Sequence, residues 1–138
     1  MKKSLLVFIM LLLIYCTSLN AQAVNENKYY SRLYYTCKVW GYLKYFHSEV
    51  AKGIYDWDTI LLNKIDEVKS SATDDDFNKT LMDLFSSAGE TSVPASPAAT
   101  IPDSLRYNLD LNWFNDSFLS SGVKNELLKI KDRFRPRS

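Results

Sequence analysis

The spacing of apolar residues between positions 29 and 47 predicts an α-helix from Tyr29 to His47. At about 100° per residue, these apolar residues divide into two stripes that we place nearly opposite each other. A helix that is apolar on two sides is normally sandwiched between neighbours or contacts a partner. The alternative is that the tyrosines cover a surface with their hydroxyl groups in water. The first stripe contains Tyr29, Leu33, Cys37, Trp40, Leu43 and His47, and the second contains Tyr35, Val39, Tyr42 and Phe46.

Two further helices are predicted by capping residues and by the helical period. Asp56 is placed to cap a helix from Trp57 to Val68. Thr73 and Asp76 resemble a capping box that opens a third helix, and Gly89 stands where a C-terminal cap belongs. Together with the first helix these segments predict a helical bundle over residues 22–89. The stripe of the third helix consists of Phe77, Leu81, Leu84, Phe85 and Ala88.

The pattern changes after this bundle. Three prolines among Ala, Ser and Thr residues predict a linker over residues 90–106. Residues 107–113 then alternate strictly between apolar and polar, which is the period of a half-buried strand. No other segment offers this strand a partner, so it either packs as an extended strap on the helices or joins a sheet outside this chain. A last helix begins near Ser121, and we expect residues 107–138 to pack on the same domain.

The predicted fold is therefore mainly α. It is a small bundle of three to four helices with one extended or strand-like segment near residues 107–113. Residues 22–138 are enough for one compact hydrophobic core.

The N-terminus predicts export. Lys2 and Lys3 precede an apolar run from Leu5 to Ile14, which is too short to span a bilayer. Small residues follow, and we expect signal peptidase to cleave after Ala21. Residues 1–21 are thus a signal peptide, and the protein is secreted, periplasmic or located in the cell envelope.

Two alternatives to simple export are a retained membrane anchor and a lipid-modified Cys16. Tyr15 is bulky where a small residue is expected before a lipoprotein cysteine. Cleavage would remove two lysines and lower the formal net charge from +1 by two units, to −1. Such a chain has no electrostatic attraction to nucleic acid and no stable membrane span. Cys37 would be the remaining cysteine, so no internal disulfide is expected.

Candidate chemistry is sparse. A histidine- or thiolate-based metal site needs several ligands, and the chain contains one histidine. The run Asp74–Asp76 lacks the glycine and the distal Glu of a calcium loop, and we interpret it as the start of a helix. No serine has the glycine-flanked setting of a nucleophile elbow, and His47 is interpreted as a core or interface histidine. The sequence therefore predicts no catalytic, cofactor-binding or metal-binding residue, and no cofactor.

One stretch is distinctive enough to suggest a family. Residues 38–47 read KVWGYLKYFH, and residues 56–58 read DWD. These residues resemble the helical leader of secreted serine peptidases of the carboxyl-terminal-processing, or tail-specific, family, which is related to the tricorn protease core. Residues 108–113, NLDLNW, are similar to the next piece of that leader, and the resemblance covers residues 33–135. Ser48 departs from the pattern, because the family usually has proline there.

The resemblance implies a non-catalytic N-terminal domain, since the serine nucleophile and its lysine or histidine base belong to a later domain of such peptidases. No catalytic residue is carried over, and we expect a truncated or orphan module. It would pack against or shield a catalytic or PDZ-like domain, or another envelope protein, through Tyr35, Val39, Tyr42 and Phe46 with residues 107–113. One alternative is a stand-alone envelope module whose aromatic surface binds peptide or glycan. Another is a peptidase built from these residues alone.

Overall fold

The structure confirms a mainly helical chain. It is a computed structural model that describes residue 10, residues 26–91 and residues 110–133. Within the last two ranges four α-helices form a small bundle, and no described residue lies in a strand. Two short 3-10 helices, Val50–Lys52 and Asn112–Asn115, precede the second and fourth helices. In chain order the α-helices are α1 (residues 26–46), α2 (Trp57–Ser70), α3 (Asp74–Ala88) and α4 (Ser121–Arg133).

Several sequence predictions lie outside the described residues. These are the signal peptide with Cys16, the linker from residue 92 onward, residues 107–109 of the strand-like segment, and the chain after residue 133. Residues 90 and 91, which begin the predicted linker, have no regular secondary structure.

The ends of α2 and α3 are set by local caps. The Asp56 carboxylate accepts a hydrogen bond from the Thr59 N–H at 3.2 Å and caps the start of α2. At the start of α3, the Thr73 hydroxyl accepts from the Asp76 N–H at 3.1 Å, and the Asp76 carboxylate accepts from the Thr73 N–H at 2.9 Å. Gly89 ends α3 with a φ of 75°, a region that glycine enters without steric cost. All three predicted boundaries are confirmed.

The interpretation of α1 as a helix with two separate apolar sides is wrong. Its two stripes are the edges of one broad buried face, and the polar residues Arg32 and Thr36 lie buried between them. The Thr36 hydroxyl donates to the Arg32 carbonyl at 2.9 Å, and this bond gives the buried hydroxyl group a hydrogen-bond partner. At about 100° per residue the two stripes are centred only about 130° apart, with the positions of Arg32 and Thr36 between them, so placing the stripes nearly opposite each other overestimated the angle. Cys37, which the spacing assigned to the first stripe, is exposed.

The strand-like segment near residues 107–113 is also not a strand where the structure describes it. From residue 112 the chain turns into the 3-10 helix Asn112–Asn115. The Asp110 carboxylate accepts a hydrogen bond from the Asn112 N–H at 2.9 Å, which bends the backbone locally. An alternating pattern forms a strand only where a second strand pairs with it. Without such a partner among the described residues, the local turn prevails.

One hydrophobic core joins the four helices. α3 contacts both α2 and α4 and therefore lies at the centre of the bundle. The Ser120 N–H donates to the Asn78 Oδ1 atom at 2.7 Å, so the start of α4 is tied to α3. The buried apolar residues are Val39, Tyr42, Leu43, Val50, Trp57, Val68, Phe77, Leu81, Leu84, Phe85, Ala88, Phe114, Leu119, Val123, Leu127 and Ile130.

A buried guanidinium group links α1 to the junction of α2 and α3. Arg32 is only 4% exposed. One of its terminal nitrogens donates to the Ser71 carbonyl at the end of α2, and the other donates to the Asp74 carboxylate at 3.1 Å. Its guanidinium carbon lies 5.8 Å from the centre of the Phe77 ring. A cation at the end of α2 also interacts favourably with the helix dipole.

Replacing Arg32 with methionine is expected to lower the free energy of unfolding by about 2 kcal/mol, since hydrogen bonds to charged groups contribute about 1.5–3 kcal/mol. Methionine keeps most of the buried volume, so the loss reports mainly on the bonds to Ser71 and Asp74. Urea denaturation followed by circular dichroism measures the change. The control is Lys28→Met, which removes the more exposed cation 3.0 Å from Asp74 and should cost less than about 0.5 kcal/mol. Equal losses in the two variants would contradict the role of Arg32.

Candidate functional site: the junction of the first two helices

The distinctive sequence motif forms the contact between α1 and α2. The Trp40 indole N–H donates to the Trp57 backbone carbonyl at 2.9 Å, and the Trp57 indole N–H donates to the Trp40 carbonyl at 3.1 Å. An indole N–H is a donor only, and a buried one needs an acceptor. The two reciprocal bonds of this tryptophan pair fix how α1 lies against the start of α2. Because Arg32, earlier in α1, contacts the end of α2, the two helices run antiparallel.

A second contact joins the same two parts of the motif. The Lys44 ammonium lies 2.7 Å from the Asp58 carboxylate and 4.6 Å from the centre of the Trp40 ring. Asp58 is largely exposed, so solvent screens this ion pair and it contributes little stability. The ammonium group also lies over the Trp40 ring, where a cation interacts favourably with the aromatic face.

The aromatic stripe expected to meet a partner is covered within the chain. The rings of Tyr35 and Phe118 stack with their centres 5.3 Å apart, and Tyr42 meets Phe114 edge-on at 5.1 Å. Tyr42 also stacks on Phe46 at 4.6 Å. The covering rings, which we call the aromatic cover, are Trp113, Phe114 and Phe118.

Burial alters the acidity of the covered tyrosines. Desolvation raises the pKa of Tyr42, and the Asp132 carboxylate acts in the same direction. Desolvation, followed by the neighbouring Asp116 carboxylate, raises the pKa of Tyr35 to about 12. Val39 is fully buried, whereas Tyr35 and Phe46 are partly accessible. Only the edges of the predicted stripe therefore reach solvent.

The histidine of the motif lies in the core at the end of α1. His47 is 2% exposed, which confirms the interpretation as a core histidine. Its Nε2 atom lies 3.2 Å from the Thr91 hydroxyl, beyond the end of α3. Burial lowers the pKa of His47, and the Gly89 backbone and the Glu49 carboxylate offset this only in part.

The remaining candidate groups have structural partners or lack activating surroundings. Asp74 pairs with Lys28 and Arg32, and Asp76 caps α3, as expected of the start of a helix. Partial desolvation by its neighbours raises the pKa of the Cys37 thiol although the residue is exposed, the opposite of what a nucleophilic cysteine requires. In residues 26–91 and 110–133, no three His, Cys, Asp or Glu side chains converge as metal ligands.

Sequence reasoning missed two surfaces. Tyr30, Tyr34 and Tyr45, which we call the outer tyrosines, are 62%, 53% and 69% exposed. Their spacing of four and eleven residues places them on one side of α1. The second is a cleft of about 540 Å³ between α3 and α4. Among its charged groups, Lys129 pairs with Glu126 at 2.5 Å and Arg133 donates to the Thr91 carbonyl at 3.2 Å. The helical spacing places the outer tyrosines on one side of α1. Recognising that side as an exposed surface, however, requires knowing which face of α1 is buried.

A double-mutant cycle on the tryptophan pair tests the reciprocal contact. Trp40→Phe and Trp57→Phe should each lower the free energy of unfolding by about 1–2 kcal/mol, since each removes one hydrogen bond and part of a ring. Because the two bonds hold the same geometry, the double variant should lose at least about 0.5 kcal/mol less than the sum. Tyr45→Phe, on the exposed side of α1, is the control with no expected change. Additive losses would mean that the two bonds act independently.

No protein-family model, curated protein or solved structure matches this chain. No helix among the described residues has the length and apolar character needed to cross a bilayer. The resemblance to the tail-specific peptidase leader thus rests on the sequence motif, whose two parts meet at the tryptophan pair.

Proposed function

We propose that this chain is the non-catalytic N-terminal helical domain of a secreted serine peptidase-like protein of the carboxyl-terminal-processing type. In this proposal the domain packs against or shields a catalytic part. The observation that carries it is the reciprocal bonding of Trp40 and Trp57. The two parts of the family-like motif, residues 38–47 and 56–58, join α1 to α2. A motif with this role maintains the packing of a domain and takes no part in catalysis.

The chemistry of the described residues is consistent with a non-catalytic role. His47 is enclosed at the end of α1, where it offers no ring nitrogen to a substrate. The Cys37 thiol is exposed, but its raised pKa keeps it protonated at neutral pH. Neither group meets the requirement of an activated nucleophile with a base beside it.

The contact with the catalytic part would use the accessible side of α1. Val39 and Tyr42 are buried, and Tyr42 lies against the aromatic cover, so a partner would reach only the edges of Tyr35 and Phe46. The outer tyrosines offer more accessible apolar area, and exposed aromatic residues are enriched at protein contacts. We therefore place the principal contact on the outer tyrosines.

Binding of the purified chain to a tail-specific peptidase fragment that holds the PDZ-like and catalytic parts, but no leader, tests this proposal. Isothermal titration calorimetry should detect an interaction, and Tyr34→Ser with Tyr45→Ser should weaken it about tenfold or more, since central tyrosines often contribute over 1 kcal/mol each. Leu62→Ser with Leu128→Ser, at exposed positions of α2 and α4, is the matched control. Absence of binding, or proteolysis by the chain alone, would overturn the proposal.

A stand-alone envelope binding module is the second candidate. The exposure of three tyrosines on one side of α1 favours it, because such a row fits a peptide or a glycan without a catalytic domain. Retention of the chain on immobilised cell-wall polysaccharide or peptide, lost on serine replacement of the outer tyrosines, would support this candidate over the first.

A further inference from the structure

Thr91 connects the ends of two helices that are distant in sequence. Its hydroxyl lies 3.2 Å from the Nε2 atom of His47, just after α1. Its backbone carbonyl accepts a hydrogen bond from Arg133, the last residue of α4, at 3.2 Å. Residues 89–91, which leave α3, are thereby held between α1 and α4.

The second nitrogen of the His47 ring has no such contact. Nδ1 is buried, and no hydrogen-bond partner for it occurs among the described residues. A neutral imidazole tolerates this, because one of its nitrogens carries only a lone pair. Protonation makes both nitrogens donors, and burial keeps from the charged ring the water that would solvate it. The site therefore accommodates the neutral ring and disfavours the charged one.

We propose that protonation of His47 favours the release of residues 89–91, an opening in which they separate from the ring and water reaches Nδ1. The contacts of Thr91 with His47 and Arg133 are then lost, while α1, α2 and the first turns of α3 stay packed. The inference does not depend on the proposed function, since it concerns the packing of this chain alone.

The release is local because the stronger contacts of the bundle lie elsewhere. The tryptophan pair and Arg32 hold α1 to α2 and to the start of α3, and neither involves residues 89–91. Gly89 and Glu90 are exposed and contribute no apolar side chain to the core. Separating residues 89–91 from α1 therefore exposes little apolar surface.

Burial, rather than the charged groups around His47, sets the direction of the pH dependence. The Glu49 carboxylate, which follows α1 in the chain, favours the charged ring. Arg133 approaches from α4 and bonds to the Thr91 carbonyl. Glu90 adjoins Thr91 in the chain and is exposed. Burial outweighs these charges and lowers the pKa of His47.

The sign of the effect follows from that lowered pKa. In the released state the ring regains a pKa of about 6.5. The contact is thus at full strength above about pH 6.5 and weakens as the pH falls toward the lower pKa of the closed state. Between pH 7.5 and 5.5 the equilibrium constant for release should rise toward a limit of about tenfold.

Hydrogen exchange on the full chain, corrected for intrinsic rates, tests the release. Peptides covering residues 86–91 and the last turn of α4 should lose protection up to about tenfold between pH 7.5 and 5.5, while α2 peptides stay unchanged. In His47→Gln the side-chain amide can still bond to Thr91 but does not titrate, so the loss should disappear. Equal loss in α2, no loss at all, or a persisting loss in His47→Gln would each overturn the proposal.

A second measurement needs no variant. The chain contains one histidine, so its ring proton signals identify His47 without assignment of the other residues. A proton NMR titration should give a midpoint below about 6.5. A midpoint at or above that value would show that the site does not disfavour the charged ring, and the proposal would fail.

Discussion

The buried guanidinium of Arg32 is the contact on which the arrangement of the first three helices depends. It joins the first half of α1 to the carbonyl of Ser71, which follows α2, and to Asp74, the first residue of α3. A charge inside a core is stabilising only while its partners stay in place. The turn between α2 and α3 is therefore held in one position relative to α1. The capping box of Thr73 and Asp76 begins α3 two residues beyond Ser71, so the ends of both helices meet at this one cation.

The aromatic residues on the buried face of α1 pack against other segments of the same chain. This face is broad, with the polar residues Arg32 and Thr36 along the middle and aromatic residues at both edges. Trp57 covers one edge, and the rings of Phe114 and Phe118 cover the other. What α1 presents to solvent is a different set of residues, the outer tyrosines. A partner of this domain would meet those side chains first.

The family-like motif and the histidine at its end have different physical roles. The tryptophan pair is made of neutral hydrogen bonds, and its strength does not vary with pH near neutrality. His47 carries a titratable ring in a site that suits only its neutral form. One short sequence segment thus contributes both a permanent helix contact and a pH-sensitive one. The bundle core and the connection after α3 therefore respond differently to acid.

The sequence by itself determined the helical class, the caps at Asp56, Thr73 and Gly89, and the apolar stripe of α3, because these depend on residues within a few positions of one another. It also singled out Trp40 and Trp57 as distinctive, but not that they bond to each other. Tertiary structure alone decided that Arg32 and Thr36 are core residues, since their burial depends on partners distant in sequence. It likewise replaced the strand-like pattern with a turn, because an alternating segment needs a second strand that the described chain does not offer. The sequence thus marked the residues of the motif that form the candidate site, whereas their contact between α1 and α2 required the packed bundle.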